Sequence, residues 1–487
     1  MAKKFGFVIG GIGFFALFAL SEWVTLGEGA PTPEAIRVAA VAFLMASFWV
    51  TEALPLPATS LLPLVLFPVL GIAPVQAVAP AFADKFILLL MGGFFVALGL
   101  ERWNLHKRLA LRVIVAVGTQ PSRLVLGFML AGAGLSMWIS NTATTLMMLP
   151  IALAVLQRVE ERAGKEACRS LGIALLLGIA YACNIGGVGT PIGTPPNLIF
   201  MSQYSVTFPA APAISFFDWM LISLPIVVIM IAAIWWVLVR GVNQVDDTLD
   251  IGDRNVVRRD YESMGNLTVP ERRVLGIFVM TAMFWVFRKP IIVGDWSIGG
   301  WAGWFGLQGQ VDDGTVAIGA ALLMFALPAG GGSRERLLDW DTAVKIPWGL
   351  LLLFGGGLAL AAGFKMTGLS EWVGLRLGGL AGMPTWMMIG LVALSVTFLT
   401  EVTSNTATTT ILMPVLGSVC DARGISATHL MLPAAISASC AFMLPVATAP
   451  NAIVFGTGRV RMGDMVRLGV VINLIGVFVI TAILMLW

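Results

Sequence analysis

Two stretches of this 487-residue chain carry the same six residues: Ser140-Asn141-Thr142-Ala143-Thr144-Thr145 and Ser404-Asn405-Thr406-Ala407-Thr408-Thr409. Both offer hydroxyl and amide oxygens, and neither contains Lys or Arg. A hard monovalent cation is held by such oxygens together with carbonyls of unwound helix. Ser140, Asn141, Ser404 and Asn405 can supply that cage. An anion bound beside them would have no basic side chain to compensate it. Bound Na+ and amide or hydroxyl donors would have to do so, and the anion would then bind well only when cations are already present.

A second stretch breaks its helix. Gly186-Gly187-Val188-Gly189-Thr190-Pro191-Ile192-Gly193-Thr194-Pro195-Pro196 cannot stay α-helical, because proline removes a donor and clashes with the preceding turn. Its freed carbonyls can face a cation. The related Ala447-Thr448-Ala449-Pro450 has one Pro and no Gly, so a milder break is expected there. Glu401, three residues before Ser404, is read as orienting the neighbouring motif rather than titrating. Glu52 reads as a polar helix end and Trp138 as packing. Two histidines, His106 and His429, do not make a metal site, and the four cysteines show no redox or metal spacing. A single Ser or Thr in an apolar helix often only bonds the i−4 carbonyl; duplication lifts the six-residue motif above that reading.

The elements that position these residues must lie in lipid. The chain is 58% hydrophobic and 12% charged, and apolar runs approach the ~20 residues that span a bilayer core. The spans must then be helical. Lys3 and Lys4 precede an apolar run without a convincing cleavage site, so an uncleaved first span is expected. Eleven spans are predicted: 5–24, 36–53, 56–75, 86–101, 171–203, 216–239, 274–288, 314–328, 348–364, 429–456 and 464–487. With the N-terminus cytoplasmic and the C-terminus outside, the 30 Lys and Arg residues divide roughly three to one in favour of the cytoplasm.

Two apolar stretches, 124–157 and 385–419, stand outside that count. The first is flanked by basic residues on both sides, Arg123 and Arg158. It is too long for one crossing and short for two. A re-entrant hairpin from the cytoplasm satisfies both facts, and 385–419 would enter from outside. Irregular backbone at membrane depth is tolerated only where it is buried or lines a cavity, so each hairpin tip is a candidate site.

The halves repeat. Gly92 and Gly356, Gly99 and Gly363, and Pro150 and Pro414 share the offset of the six-residue motifs. Pro196-Asn197-Leu198-Ile199 and Pro450-Asn451-Ala452-Ile453 form a further pair. The charge map makes the halves inverted, an arrangement typical of secondary carriers with their site at the repeat interface. Amphipathic segments at 104–119 and 367–380 are expected to lie flat as arms.

At these residues the chain resembles the divalent anion/sodium symporter family, which carries dicarboxylates, citrate or sulfate. The motifs are Ser140-Asn141-Thr142, Ser404-Asn405-Thr406, Gly193-Thr194-Pro195-Pro196-Asn197 and Pro450-Asn451-Ala452-Ile453-Val454-Phe455, with Pro347-Trp348-Gly349 and Phe354-Gly355-Gly356-Gly357. The resemblance implies an all-α inner-membrane homodimer working by an elevator. Its scaffold would hold 1–118 and 246–383, and its transport domain 119–245 and 384–487. One Na+ site would use Ser136, Ser140, Asn141 and Gly193; the other Thr400, Thr403, Asn405 and Ala447. Substrate carboxylates would meet Asn141, Thr142, Asn405 and Thr406, with Thr194 and Pro195 nearby. The chain reads Thr448-Ala449-Pro450 where the family usually has two consecutive prolines.

The expected function is Na+-coupled symport of C4-dicarboxylates, the succinate, malate and fumarate class, by a non-enzymatic membrane protein with no nucleic-acid partner. An exchanger or a sulfate or citrate carrier of the same fold is the alternative. A membrane-embedded hydrolase lacks a Ser–His or metal–His arrangement on the spans. A channel is disfavoured by hairpin tips that block an open pore.

Overall fold

The computed structural model describes residues 2–23, 30–118, 120–249, 256–293, 296–330, 333–376 and 383–487. Helices α1 (Ala2–Trp23) and α2 (Pro33–Thr51) lie side by side. Thr32 caps α2, its hydroxyl accepting the Ala35 N–H at 3.1 Å, and Pro33 occupies the first turn where no N–H is needed. The expected third span, 56–75, is instead α3 (Leu56–Thr59), α4 (Leu62–Val69) and α5 (Val75–Val78). The prolines at 57, 63 and 68 account for this, since each removes a backbone donor. Helix α6 (Lys85–Arg102) starts on an Asp84 cap, and the amphipathic arm is α7 (Leu105–Val117).

The first hairpin is α8 (Pro121–Ser136) and α9 (Asn141–Ala163), joined by a four-residue tip. Helix α10 (Arg169–Gly186) then breaks before α11 (Pro195–Thr207), as the Gly-Pro run requires. The long α12 (Phe216–Trp236) carries a Ser215–Asp218 capping box. The short α13 (Val256–Ser263) leads to α14 (Val269–Val286), β1 (Ile291–Val293), β2 (Trp296–Ile298), α15 (Trp301–Trp304) and α16 (Asp313–Ala326). Next come β3 (Pro328–Gly330), β4 (Ser333–Arg336), α17 (Trp340–Ala343), α18 (Trp348–Met366) and α19 (Leu369–Arg376). Both strand pairs are short antiparallel hairpins. The second helical hairpin is α20 (Thr385–Thr400) and α21 (Asn405–Arg423), followed by α22 (Ala427–Ser437), α23 (Ala449–Phe455) and α24 (Met462–Leu484). The ends of the two expected arms, Thr119 and 377–380, lie outside the described residues.

Among the described residues, eight helices are long and apolar enough to cross a membrane, and three shorter apolar helices accompany them. The protein is therefore a multi-pass membrane protein. The second helix break is not the milder one. Residues 438–448 leave the α-helix, against 187–194 in the first. Pro445 blocks re-entry, and Glu401 captures the backbone N–H groups that a helix would have used.

Buried apolar side chains form two clusters. The smaller joins α1, α2, α4 and α18; the larger joins the hairpins and α10–α12 to α6, α14, α16 and α24. Gly92 and Gly356 are both places where backbones nearly touch. A Cβ would come within 2.6 Å of Ala317 at the first and 2.4 Å of Ser60 O at the second. The arm is tied down by charge. Arg108 on α7 makes a bidentate pair with Glu271 of α14, at 2.8 and 3.2 Å, and donates to Met264 O and Gly265 O. Both side chains of that pair are almost fully enclosed, at 8% and 4% exposure.

Removing one partner of an enclosed ion pair strands the other. Arg108→Ala should therefore lower stability by about 3–5 kcal/mol. Arg459→Ala breaks the more exposed pair with Glu160 and should cost no more than about 1 kcal/mol. Unfolding of the purified variants in detergent checks the contrast; equal losses would contradict it.

Candidate functional site

A cavity of about 1140 Å³ opens between the two hairpin tips and the α6 and α18 helices. Its floor holds Ser140, Asn141 and Thr142 of the first tip, Thr403, Ser404, Asn405 and Thr406 of the second, Gly193, Thr194 and Pro195, and Ala447, Thr448, Ala449 and Pro450. Leu90, Phe94 and Leu350 form part of its walls. Lys3, Glu52, Glu101 and Lys345 also line it. Glu52 ends α2 in the left-handed conformation, φ 48°.

Four helices start at this cavity. Ser140, Ser404, Thr194 and Thr448 are the residues immediately before α9, α21, α11 and α23. A helix start carries free N–H groups and partial positive charge, which suits an anion. No cavity-lining residue from the tips or breaks is basic. Helices α8, α10, α20 and α22 end behind the same floor, and helix ends carry free carbonyls. Donors and acceptors are thereby sorted without charged side chains.

The two tips are built alike. Ser136 Oγ bonds Asn141 Oδ1 and donates to Cys183 O at 2.8 Å. Thr400 Oγ1 lies 2.7 Å from Asn405 Oδ1 and 2.9 Å from Ala438 O, its one proton shared between the two acceptors. Ser136 and Thr400 are fully buried behind the cavity and fix the asparagine amides; the other expected site residues line it. Two oxygens converge at the first tip. Asn141 Oδ1 and Gly193 O lie 2.8 and 3.0 Å from the point that a Cβ on Gly187 would occupy. Any side chain at 187 would intrude on these converging oxygens. Thr403 Oγ1 is paired with Leu399 O at 2.7 Å and Thr408 Oγ1 at 2.6 Å.

Several supporting residues carry no individual signal in the sequence. Asn197 Nδ2 donates to Gly187 O at 2.9 Å, Val188 O at 3.4 Å and Thr190 O at 2.7 Å. Asn451 Nδ2 does the same for Ala441 O and Leu444 O, at 3.0 and 3.1 Å. Their one trace is the repeated Pro-Asn pair. Trp219 Nε1 and Ser223 Oγ on α12 satisfy Val188 O and Gly189 O at 2.8 and 3.2 Å. Glu401 Oε1 accepts from Phe442 N, Met443 N and Asn473 Nδ2 at 2.7, 2.9 and 2.8 Å, and Oε2 from Leu444 N at 3.0 Å. Its carboxylate orients the second break, whereas the sequence pointed to the neighbouring tip. Trp138 stacks on Phe216 and Trp285, so it packs the first tip against α12 and α14. His106 lies on α7 beside Leu100 O, and burial holds its imidazole below the ordinary range.

Residues 26–487 match a family model described as the sodium:sulfate symporter transmembrane region. The sodium-dependent dicarboxylate transporter of Staphylococcus saprophyticus is 38% identical over 454 residues, 92% of this chain and 85% of that one. The protein of the same description from a bovine strain of Staphylococcus aureus is 38% identical over 452 residues, with the same coverage. Two solved structures share the fold. The YdaH transporter of Alcanivorax borkumensis has a TM-score of 0.51 at 16% identity, covering 85% of this chain and 86% of its own. MtrF of Neisseria gonorrhoeae has 0.56 at 12% identity, covering 100% and 95%.

Glu401→Gln should test the clamp. The amide oxygen can keep the three Oε1 bonds, but its NH2 would face the Leu444 N–H. Losing a bond to a charged acceptor should cost about 1.5–3 kcal/mol. Amide hydrogen exchange should speed up at Leu444 more than at Phe442; unchanged protection at Leu444 would contradict the clamp.

Proposed function

We propose that this chain, which belongs to the sodium:sulfate symporter family, carries C4-dicarboxylates together with Na+. The observation that carries this reading is the meeting of four helix starts and two oxygen-rich tips on one cavity without a basic residue among them. Asn141 and Thr142 would meet one carboxylate, and Asn405 and Thr406 the other, with Thr194 and Pro195 beside them. Na+ ions held by Ser136, Ser140, Asn141 and Gly193, and by Thr400, Thr403, Asn405 and Ala447, would lie behind the anion. Two monovalent cations neutralise a dianion, so each favours binding of the other.

The bias of basic residues puts the N-terminus in the cytoplasm and the C-terminus outside. Lys3 and Lys345 would then mark a cavity mouth on the cytoplasmic side, which makes this an inward-facing state. Eleven crossings, the third made by the broken α3–α4 segment, with two re-entrant hairpins in inverted halves, and a homodimer, complete the reading. Changing access by opening one hairpin would strand backbone groups at several kcal/mol each in a dry environment. Moving 119–245 and 384–487 together past the scaffold keeps the Asn197, Asn451 and Glu401 bonds intact. An elevator is therefore the cheaper route.

Purified protein in liposomes should take up labelled succinate only with inward-directed Na+. Asn141→Ala and Asn405→Ala should each abolish uptake while remaining folded; normal transport by either at low Na+ would refute the two-site assignment.

The elevator makes a separate demand. A Cβ on Gly93 of α6 would lie 3.6 Å from Ile192 Cβ in the first break, within disulfide range. Oxidised Gly93→Cys/Ile192→Cys should stop transport, keep Na+-dependent succinate binding, and recover on reduction. Full transport by completely cross-linked protein would rule out the elevator.

A further inference from the structure

The two tip networks meet on a single turn of α10. Cys183 O accepts from Ser136, which holds the Asn141 amide of the first tip. Two residues earlier, the fully buried Tyr181 donates its hydroxyl to Phe442 O at 2.6 Å, its ring edge-on to Phe442. Phe442 N in turn donates to Glu401, next to Thr400, which holds the Asn405 amide of the second tip. One residue after Cys183, Asn184 Nδ2 donates to Thr448 Oγ1 at 3.0 Å and Asn451 Oδ1 at 3.3 Å. Asn451 spans back to Ala441 O and Leu444 O. This one turn therefore backs the first tip and grips the second break at its middle and at its far end.

The arrangement has no mirror image. At the offset that matches Cys183 O to Ala438 O, the counterparts of Tyr181 and Asn184 are Ile436, which cannot hydrogen-bond, and Ser439, whose buried hydroxyl has no partner among the described residues. The second half does not reach back in the same way. Packing alone would not require two polar side chains here. A buried hydroxyl and amide on one turn are useful where two separated networks must keep a common geometry.

We propose that Tyr181 and Asn184 are positioning residues that couple the two cation sites, so that filling one raises the affinity of the other. This rests on the reading of both tips as Na+ sites. A cation drawing in Asn141 Oδ1 fixes Ser136 and, through Cys183 O, the last turn of α10. Tyr181 and Asn184 then hold Phe442, Thr448 and Asn451 in place, and Glu401 and Thr400 present Asn405 to the second cation. The reverse order gives the same coupling, since linkage is reciprocal.

Equilibrium binding of radiolabelled Na+ to purified protein, without substrate, separates coupling from simple occupancy. Sites that do not interact give a Hill slope no greater than about 1, whereas two coupled sites approach about 2. The unaltered protein should show a slope above 1. Tyr181→Phe keeps the ring against Phe442 and should lower the slope to about 1, with half-saturation raised about 5-fold or more. Asn184→Ala should do likewise, and decides the matter alone if the first variant does not fold. A purely structural role would lower the unfolding temperature and leave the slope unchanged. An unchanged slope in folded variants, or a slope no greater than 1 in the unaltered protein, overturns the coupling but not the Na+ sites. No Na+ binding at all overturns both.

Discussion

Backbone that leaves the helix inside an apolar slab has to find its hydrogen-bond partners within the protein. That demand shapes the centre of this molecule. Four helix pairs are interrupted there, and side chains hold the backbone of the two breaks that follow α10 and α22. Asn197 and Asn451 each bridge the two sides of their own break. Trp219 and Ser223 reach in from α12, and Glu401 reaches across from the second tip. The breaks can then be rigid, so that the carbonyls and N–H groups left over point at the cavity rather than at each other.

Rigid breaks also sort charge. Helix starts face the cavity and helix ends sit behind it, so one small volume offers donors on one side and acceptors on the other. Side-chain cations would hold an anion without help from Na+ and would abolish coupling. Their absence from the tips and breaks is thus as much a part of the site as the oxygens. Glu401 is the exception that fits: its oxygens are used by N–H groups of the break and by Asn473, so it acts as structure rather than as a ligand.

The two halves are similar in plan and different in detail. The tips use Ser136 in one half and Thr400 in the other for the same bond to an asparagine amide. The breaks differ more. The first is held open by glycines and prolines in its own sequence. The second is longer, although its motif has fewer breakers, because a remote carboxylate takes its backbone donors. A sequence comparison of the two motifs therefore points the wrong way about which break is larger. Likewise the expected third span divides into short helices, since three prolines outweigh its apolar composition.

What the chain alone determined was whatever acts locally or is written twice. Lipid as the solvent follows from composition, the break at 186–196 from proline and glycine chemistry, and the importance of Asn141 and Asn405 from a motif repeated at a constant offset. Ser140, Asn141, Ser404 and Asn405, read from that repeat, all line one cavity. The tertiary structure alone decided what each supporting side chain touches. Glu401 meets Asn473 across 72 positions, and Tyr181 meets Phe442 across 261. A lone tyrosine or glutamate on an apolar helix carries no local signal of its partner. Its role is set by which helices pack together, and that packing is a property of the whole chain.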